Sequence, residues 1–286
     1  TAPGLHPHGS HEIRLALRSP LPRPRPYHPR DILVRQLLAS PSADEIWSRP
    51  IGLLVPRAPH LVSCTDASYE GLGGWCLSPP FKWRVSSSQL QLLGWPVLVT
   101  KPTRYAPHPA GILHINMLEF VAVFINTWLS FSLLLRRSSP PGGWSLHLRA
   151  DNTSALSWMW HASRSRRSEV QNITRGFAAF LTFFRPNAFA ISRSHIPGVD
   201  NIQADTLSRP VQFPTWAQVH EKCPDLFSLP HYQIPLELLS HLLWLVSAPQ
   251  TGDQLESATT ALRSLAPAIS PTGAPTATLP TSRSRT

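Results

Sequence analysis

The stretch from Ile115 to Leu135 constrains this chain most, because it carries a clear helical period with Leu118, Val121, Ala122, Ile125, Trp128 and Leu129 along one side. A helix so apolar must be covered, so the segments around it have to supply a sheet or further helices. It is read as a core helix and not as a membrane span. Phe120 to Leu135 is interrupted by Asn126, Thr127, Ser130 and Ser132, follows Glu119, and falls short of the length a bilayer needs. Asn116 is placed to cap this helix, and Glu119 lies in its first turn beside the apolar stripe. With the stripe on the face of a sheet, Glu119 can reach the sheet's end.

Extended patterns on both sides can supply that sheet. Leu61 to Thr65 reads as a strand ending at Asp66-Ala-Ser68, Gly71 to Gly74 as a glycine-rich turn, and Gly73 to Leu77 as the partner strand of a hairpin. Leu92 to Val99 is expected to give a third strand, at an edge because of Pro96, followed by a proline-containing loop from Lys101 to Gly111. The alternation Ser145-Leu-His-Leu-Arg-Ala150 predicts a strand that stops at Asp151-Asn152, and Thr153 to Trp160 begins a helix. Arg164, Arg166 and Arg167 lie in a polar break before a further helix, Glu169 to Phe184, and Ala188 to Ile191 is the last strand. This order makes a mixed α/β domain whose antiparallel opening hairpin is joined to parallel strands by right-handed crossovers.

The two ends of the chain read differently. Residues Thr1 to Arg30 are loaded with Pro, His and Arg and form no regular element, while Asp31 to Ala39 fits a short amphipathic helix. Leu236 to Val246 predicts one apolar helix, and from Ser247 onward the Ser, Thr, Ala and Pro composition predicts disorder. The expected domains are therefore 1–59, 60–210, a partly helical extension 211–246, and a disordered tail 247–286. The chain has 26 Lys+Arg against 16 Asp+Glu, a formal net charge of +10, which suits a polyanion such as nucleic acid or else an acidic membrane surface. Solubility alone is the plainer account of that charge. Cys64, Cys76 and Cys223 have neither disulfide nor metal-ligand spacing, so buried thiols in a reducing, intracellular compartment are expected. The first residues do not resemble a signal peptide.

The segment from His195 to Arg209 carries the last chemical feature. Pro197-Gly198 signals a turn, Asn201 is a good N-cap, and Ile202, Ala204 and Leu207 fit the first turns of a helix, which holds Asp205 at a helix start with His195 on the loop before it. If the first and fourth strands are neighbours, Asp66 and Asp151 project at one edge, Glu119 comes in from the crossover helix and Asp205 from the last helix. Four converging carboxylates repel one another unless cations neutralise them, and all-oxygen ligands select Mg²⁺ or Mn²⁺ over zinc. Two such ions suit in-line attack of water on a phosphodiester.

Asp66-Ala-Ser68 with Gly71 to Gly74, Asn116-Met-Leu-Glu119, Asp151-Asn-Thr-Ser-Ala155, and His195-Ile-Pro-Gly198 with Asn201-Ile-Gln-Ala-Asp-Thr-Leu-Ser-Arg209 together resemble the ribonuclease H domain of retroelement reverse transcriptases. DIRS-type elements are nearest in wording and Gypsy-type next. The resemblance covers about residues 60 to 210. It implies an RNase H-like mixed five-stranded sheet, its first three strands antiparallel and its fourth and fifth parallel, flanked by helices. It further implies that Asp66, Glu119, Asp151 and Asp205 bind two Mg²⁺ and cut the RNA strand of an RNA–DNA hybrid. His195, ten residues before Asp205, would assist product release or proton transfer. Ser68, Gly73, Gly74, Asn116 and Asn152 fall where the family contacts nucleic acid, and Arg164, Arg166 and Arg167 are placed to meet a duplex backbone. No Tyr-x-Asp-Asp polymerase motif occurs, and residues 31 to 60 resemble the connection that follows a polymerase. The chain is thus expected to be a piece of a larger polyprotein, with a polymerase domain as partner in cis or in trans and no membrane.

Plainer readings stand beside these. Asp66 can simply end a strand, Glu119 can be an ordinary first-turn acid, Asp151 a cap and Asp205 a solvated helix residue. His195 can be a packed or surface histidine, and the arginines a solvated loop. At the level of the whole domain, the alternatives are a catalytically silent RNase H-like module that binds nucleic acid or scaffolds a polymerase, and a DNA-directed relative of the same fold.

Overall fold

The computed structural model describes residues 58–98, 111–138, 140, 143–161, 167–184, 189–248, 251–266 and 271–272. All belong to one of the two compact units into which the chain divides, Pro41–Thr286. The Pro/Arg-rich segment, the helix expected at 31–39, the connection-like stretch, most of the loop from 101 and both Arg164 and Arg166 lie outside the described residues.

The antiparallel and parallel parts of the sheet meet at β1, Leu61–Ala67. It pairs antiparallel with β2, Gly71–Leu77, which pairs antiparallel with β3, Pro80–Ser86. On its other side β1 runs parallel to β4, Trp144–Ala150, and β4 parallel to β5, Phe189–His195. The architecture is therefore α/β with a mixed sheet flanked by helices. Among the described residues the sheet has seven strands where five were expected, in the order β5-β4-β1-β2-β3-β6-β7, because two short strands, β6 (His231–Tyr232) and β7 (Pro271–Thr272), extend the edge beyond β3.

The third strand is not where it was expected. Of the expected strand Leu92 to Val99, the described residues 92–98 form no strand; residues Ser87–Leu92 form a short helix, α1, with a capping box from Ser86 and Gln89. The strand is instead Pro80-Phe-Lys-Trp-Arg-Val-Ser86, whose apolar residues alternate with basic ones. Nor is Gly71 to Gly74 the turn. The chain reverses at Ser68–Glu70, where Ser68 and Gly71 exchange backbone hydrogen bonds, and the glycines lie within β2. Their lack of a side chain is what the sheet needs: a Cβ on Gly73 would come within 2.5 Å of Leu207 Cβ, and one on Gly74 within 2.7 Å of both the Asn126 Oδ1 and the Trp83 Nε1 on the opposite face.

The apolar helix is α2, Ile115–Leu134, and it is capped by His114, whose side chain accepts from the Asn116 N–H, and not by Asn116. At twenty residues with mean hydropathy 1.7 it is long and apolar enough to cross a membrane, contrary to the length argument, yet the structure buries all of its residues from Met117 to Leu134. Its polar residues survive burial by bonding within the helix: Thr127, Ser130 and Ser132 donate to the carbonyls four residues back. Helices α3 (Thr153–His161) and α4 (Ser168–Phe184) follow β4. Phe120 and Phe124 pack edge-on against Phe177, and Phe131 stacks on Phe180.

After β5 come a 3-10 turn at Gly198–Asp200 and α5, Ile202–Ser208, then α6, Trp216–Lys222. The apolar helix expected near Leu236 is α7, Leu236–Ser247. The disorder expected from Ser247 does not extend over Gly252–Ser264, which forms α8 behind a capping box of Thr251 and Gln254. Leu255, Ala258 and Leu262 of α8 are buried, and the Leu262 carbonyl accepts from the indole of Trp128. Few aromatics did not mean no apolar face. The three cysteines are free and buried, as expected.

Candidate metal centre

The parallel register of β1 and β4 sets Thr65 opposite Ala150, so the next residues, Asp66 and Asp151, lie at the same end of the sheet. Glu119 arrives there from the first turns of α2. One carboxylate oxygen from each of Asp66, Glu119 and Asp151 lies within 4.8 Å of the other two. Asp66 and Glu119 are each only 4% exposed, while Asp151 is partly exposed.

Charge is held there against its solvation preference. Burial pushes the Asp66 carboxyl up to about 7, offset in part by the Ser208 hydroxyl, which donates to Asp66 Oδ2 at 2.5 Å, and reinforced by Asp151 and Asp205. Glu119 is raised well above the usual carboxylate range by burial and then by Asp66 and Asp151. Asp151 is raised by burial first, with Asp205 adding and His195 opposing. Glu119 Oε2 is buried with no hydrogen-bond partner. An orphaned buried carboxylate oxygen beside two further carboxylates fits a divalent cation with oxygen ligands: the ion would satisfy the lone pair and remove the repulsion in one step.

Asp205, the fourth acid, stands beside this group and not within it. Its Oδ1 accepts from Arg209 Nε at 2.8 Å and from the same guanidinium's terminal nitrogen, an i,i+4 ion pair on α5. Its charge still reaches Asp66, Glu119 and Asp151. His195 is not on a loop but is the exposed last residue of β5, opposite Ala150, because the strand runs four residues past its expected end. Asn201 occupies the N-cap position of α5, as expected, but makes no side-chain capping hydrogen bond; its amide donates instead to the Thr65 carbonyl, tying the entry of α5 to the end of β1. Gly198 comes so near Asp151 that a Cβ there would lie 3.2 Å from Oδ2.

The residues proposed for nucleic-acid contact divide. Gly73 and Gly74 are buried between α5 and α2, so they serve packing and present no surface. Ser68 donates to the Ser208 carbonyl at 2.6 Å. Asn116 accepts from Asn152, and Asn152 in turn caps α3 through the Ala155 N–H. Arg167 is exposed just before α4. Two residues were missed. Ser208 holds Asp66, and Arg209 holds Asp205; spacings of three and four from Asp205 on a helix were the signal available for both.

Comparison with protein-family models, with curated proteins and with solved structures gives no match.

Proposed function

We propose that this chain is a Mg²⁺-dependent endoribonuclease that hydrolyses the RNA strand of RNA–DNA hybrids, an RNase H-like domain of a retroelement reverse transcriptase polyprotein. The observation that carries the reading is the group of Asp66, Glu119 and Asp151 at the sheet's end, with Glu119 Oε2 left without a partner. The motif resemblance supplies the substrate class, and the basic chain suits a polyanion. The antiparallel β1, β2 and β3 with parallel β4 and β5 supports the same reading.

In this reading Asp66, Glu119 and Asp151 would hold the divalent ions, two Mg²⁺ or Mn²⁺, with Asp205 as the fourth acid beside them. Two such ions, when bound there, would supply an attacking water of lowered pKa and a counter-charge for the leaving oxygen. Ser208 orients Asp66, and Asn201 fixes the helix that carries Asp205. His195, exposed at the edge beside Asp151, is placed to move a proton or to loosen product. The test is incubation of the full chain with Mg²⁺ and a hybrid labelled on its RNA strand, because α7 and α8 pack on the rest and residues 60–210 do not stand apart. Nicked RNA from wild type, and none from Asp66→Asn or Asp151→Asn proteins that keep their circular dichroism, is expected. Intact hybrid after long incubation refutes the activity.

One observation favours a second reading, a catalytically silent nucleic-acid-binding or polymerase-scaffolding module: Arg209 already neutralises Asp205. Calorimetry separates the two, since the silent module binds no Mg²⁺.

A further inference from the structure

The sheet face that carries Asp66 continues into a second chemical surface. Asp66 is in register with Gly73 and Gly73 with Arg84, so Asp66 and Arg84 project from the same face. Strands lie about 4.8 Å apart, which sets Arg84 about 10 Å across the sheet. Arg84 donates to the Phe213 and Pro214 carbonyls, and its guanidinium lies 4.4 Å from the ring of Trp216, at the start of α6. His231 packs on the same ring at 4.4 Å, and Lys82 Nζ lies 5.2 Å from it. His220 stacks alongside Trp216 at 6.0 Å, and Phe227 meets His220 edge-on at 5.2 Å.

Two features set this ladder apart from ordinary packing. Phe227 is 74% exposed, although burying it would be favourable. Arg84, partly exposed, is also uncompensated, since no carboxylate among the described residues is paired with it; Lys82 is buried, its Nζ donating to the Leu226 carbonyl at 2.6 Å. His231 is pushed down to about 4 by burial and then by Arg84 and Lys82, and His220 is lowered by burial and then by Lys82. A guanidinium with no carboxylate partner set among aromatic rings, one of them presented to solvent, is the chemistry that binds single-stranded nucleic acid, where bases stack and the backbone answers the cation.

We infer that Arg84, Trp216, His220 and Phe227 form a stacking platform for single-stranded nucleic acid across the sheet from the carboxylate group, with Phe227 as its exposed base-stacking ring. It shares with the proposed nuclease only the class of polymer, and its aromatic members Trp216, His220 and Phe227 lie beyond the residues the resemblance covers. Binding of a fluorescein-labelled oligothymidylate to the full chain, followed by anisotropy in EDTA, tests it without any contribution from cleavage. Phe227→Ala and Phe227→Leu are expected to weaken binding about 5- to 150-fold, the loss of one base stack, and Phe227→Trp to retain it. The exposed position makes these changes harmless to folding. Equal affinity in all four proteins overturns the inference, as does wild-type affinity in Phe227→Leu, which would mean apolar contact without stacking. Self-association of the chain that Phe227→Ala abolishes, with no oligonucleotide bound, would assign the ring to a second copy and overturn it as well. Hybrid nicking by the same proteins with Mg²⁺ reports separately on the nuclease.

Discussion

Replacing Asp66 by Asn should stabilise the metal-free protein at alkaline pH while destroying its metal site. The carboxyl is buried and raised from 3.8 to about 7, so the folded state holds its proton more tightly than the unfolded chain does. Stability from this group is therefore complete below pH 4 and is lost as pH rises through 7. The gap, at about 1.36 kcal/mol per pH unit, is worth about 4 kcal/mol. Asn is neutral throughout and escapes that loss, and it relieves Glu119, which Asp66 helps to raise. Urea unfolding in EDTA at pH 4 and pH 8 measures the effect. Near pH 4 the two proteins should be of similar stability, since Ser208 can donate to an amide oxygen as it does to the carboxyl. At pH 8 the variant should be the more stable by up to about 4 kcal/mol. A difference between variant and wild type that is the same at both pH values would refute the reasoning, because it would mean that Asp66 is ionised at no cost.

Other consequences can be measured on the same protein. Mg²⁺ at pH 8 should raise the melting temperature of wild type, by linkage to the folded state, and leave Asp66→Asn and Asp151→Asn unmoved; equal shifts in all three would place the ion elsewhere. Gly73→Ala drives a methyl into Leu207 and the Ser208 backbone and should cost about 1 to 3 kcal/mol while displacing α5, so Mg²⁺ affinity should fall with stability. A variant as stable as wild type would deny the close approach. Leu262→Ala, in the segment whose composition suggested disorder, should cost about 2 to 5 kcal/mol because the side chain is 1% exposed; an unchanged melting temperature would mean that α8 does not pack.

Sequence alone settled the elements with strong local signals. The period of α2, the alternation of β4 and the apolar start of β1 are properties of neighbouring residues, and the structure follows them closely. It also located Asp66, Glu119 and Asp151, because each stands where a strand ends or a helix begins. Tertiary contact decided the rest. Glycines that look like a turn became a strand because helices pack on both sides of β2, and β3 replaced Leu92–Val99 because Phe81, Trp83 and Val85 found the core. Asp205 has the spacing of a fourth ligand, but it was Arg209, one helical turn away, that took its carboxylate, since an ion pair depends on where side chains meet. The contact between α8 and Trp128 joins residues 134 positions apart, a pairing no local pattern can announce.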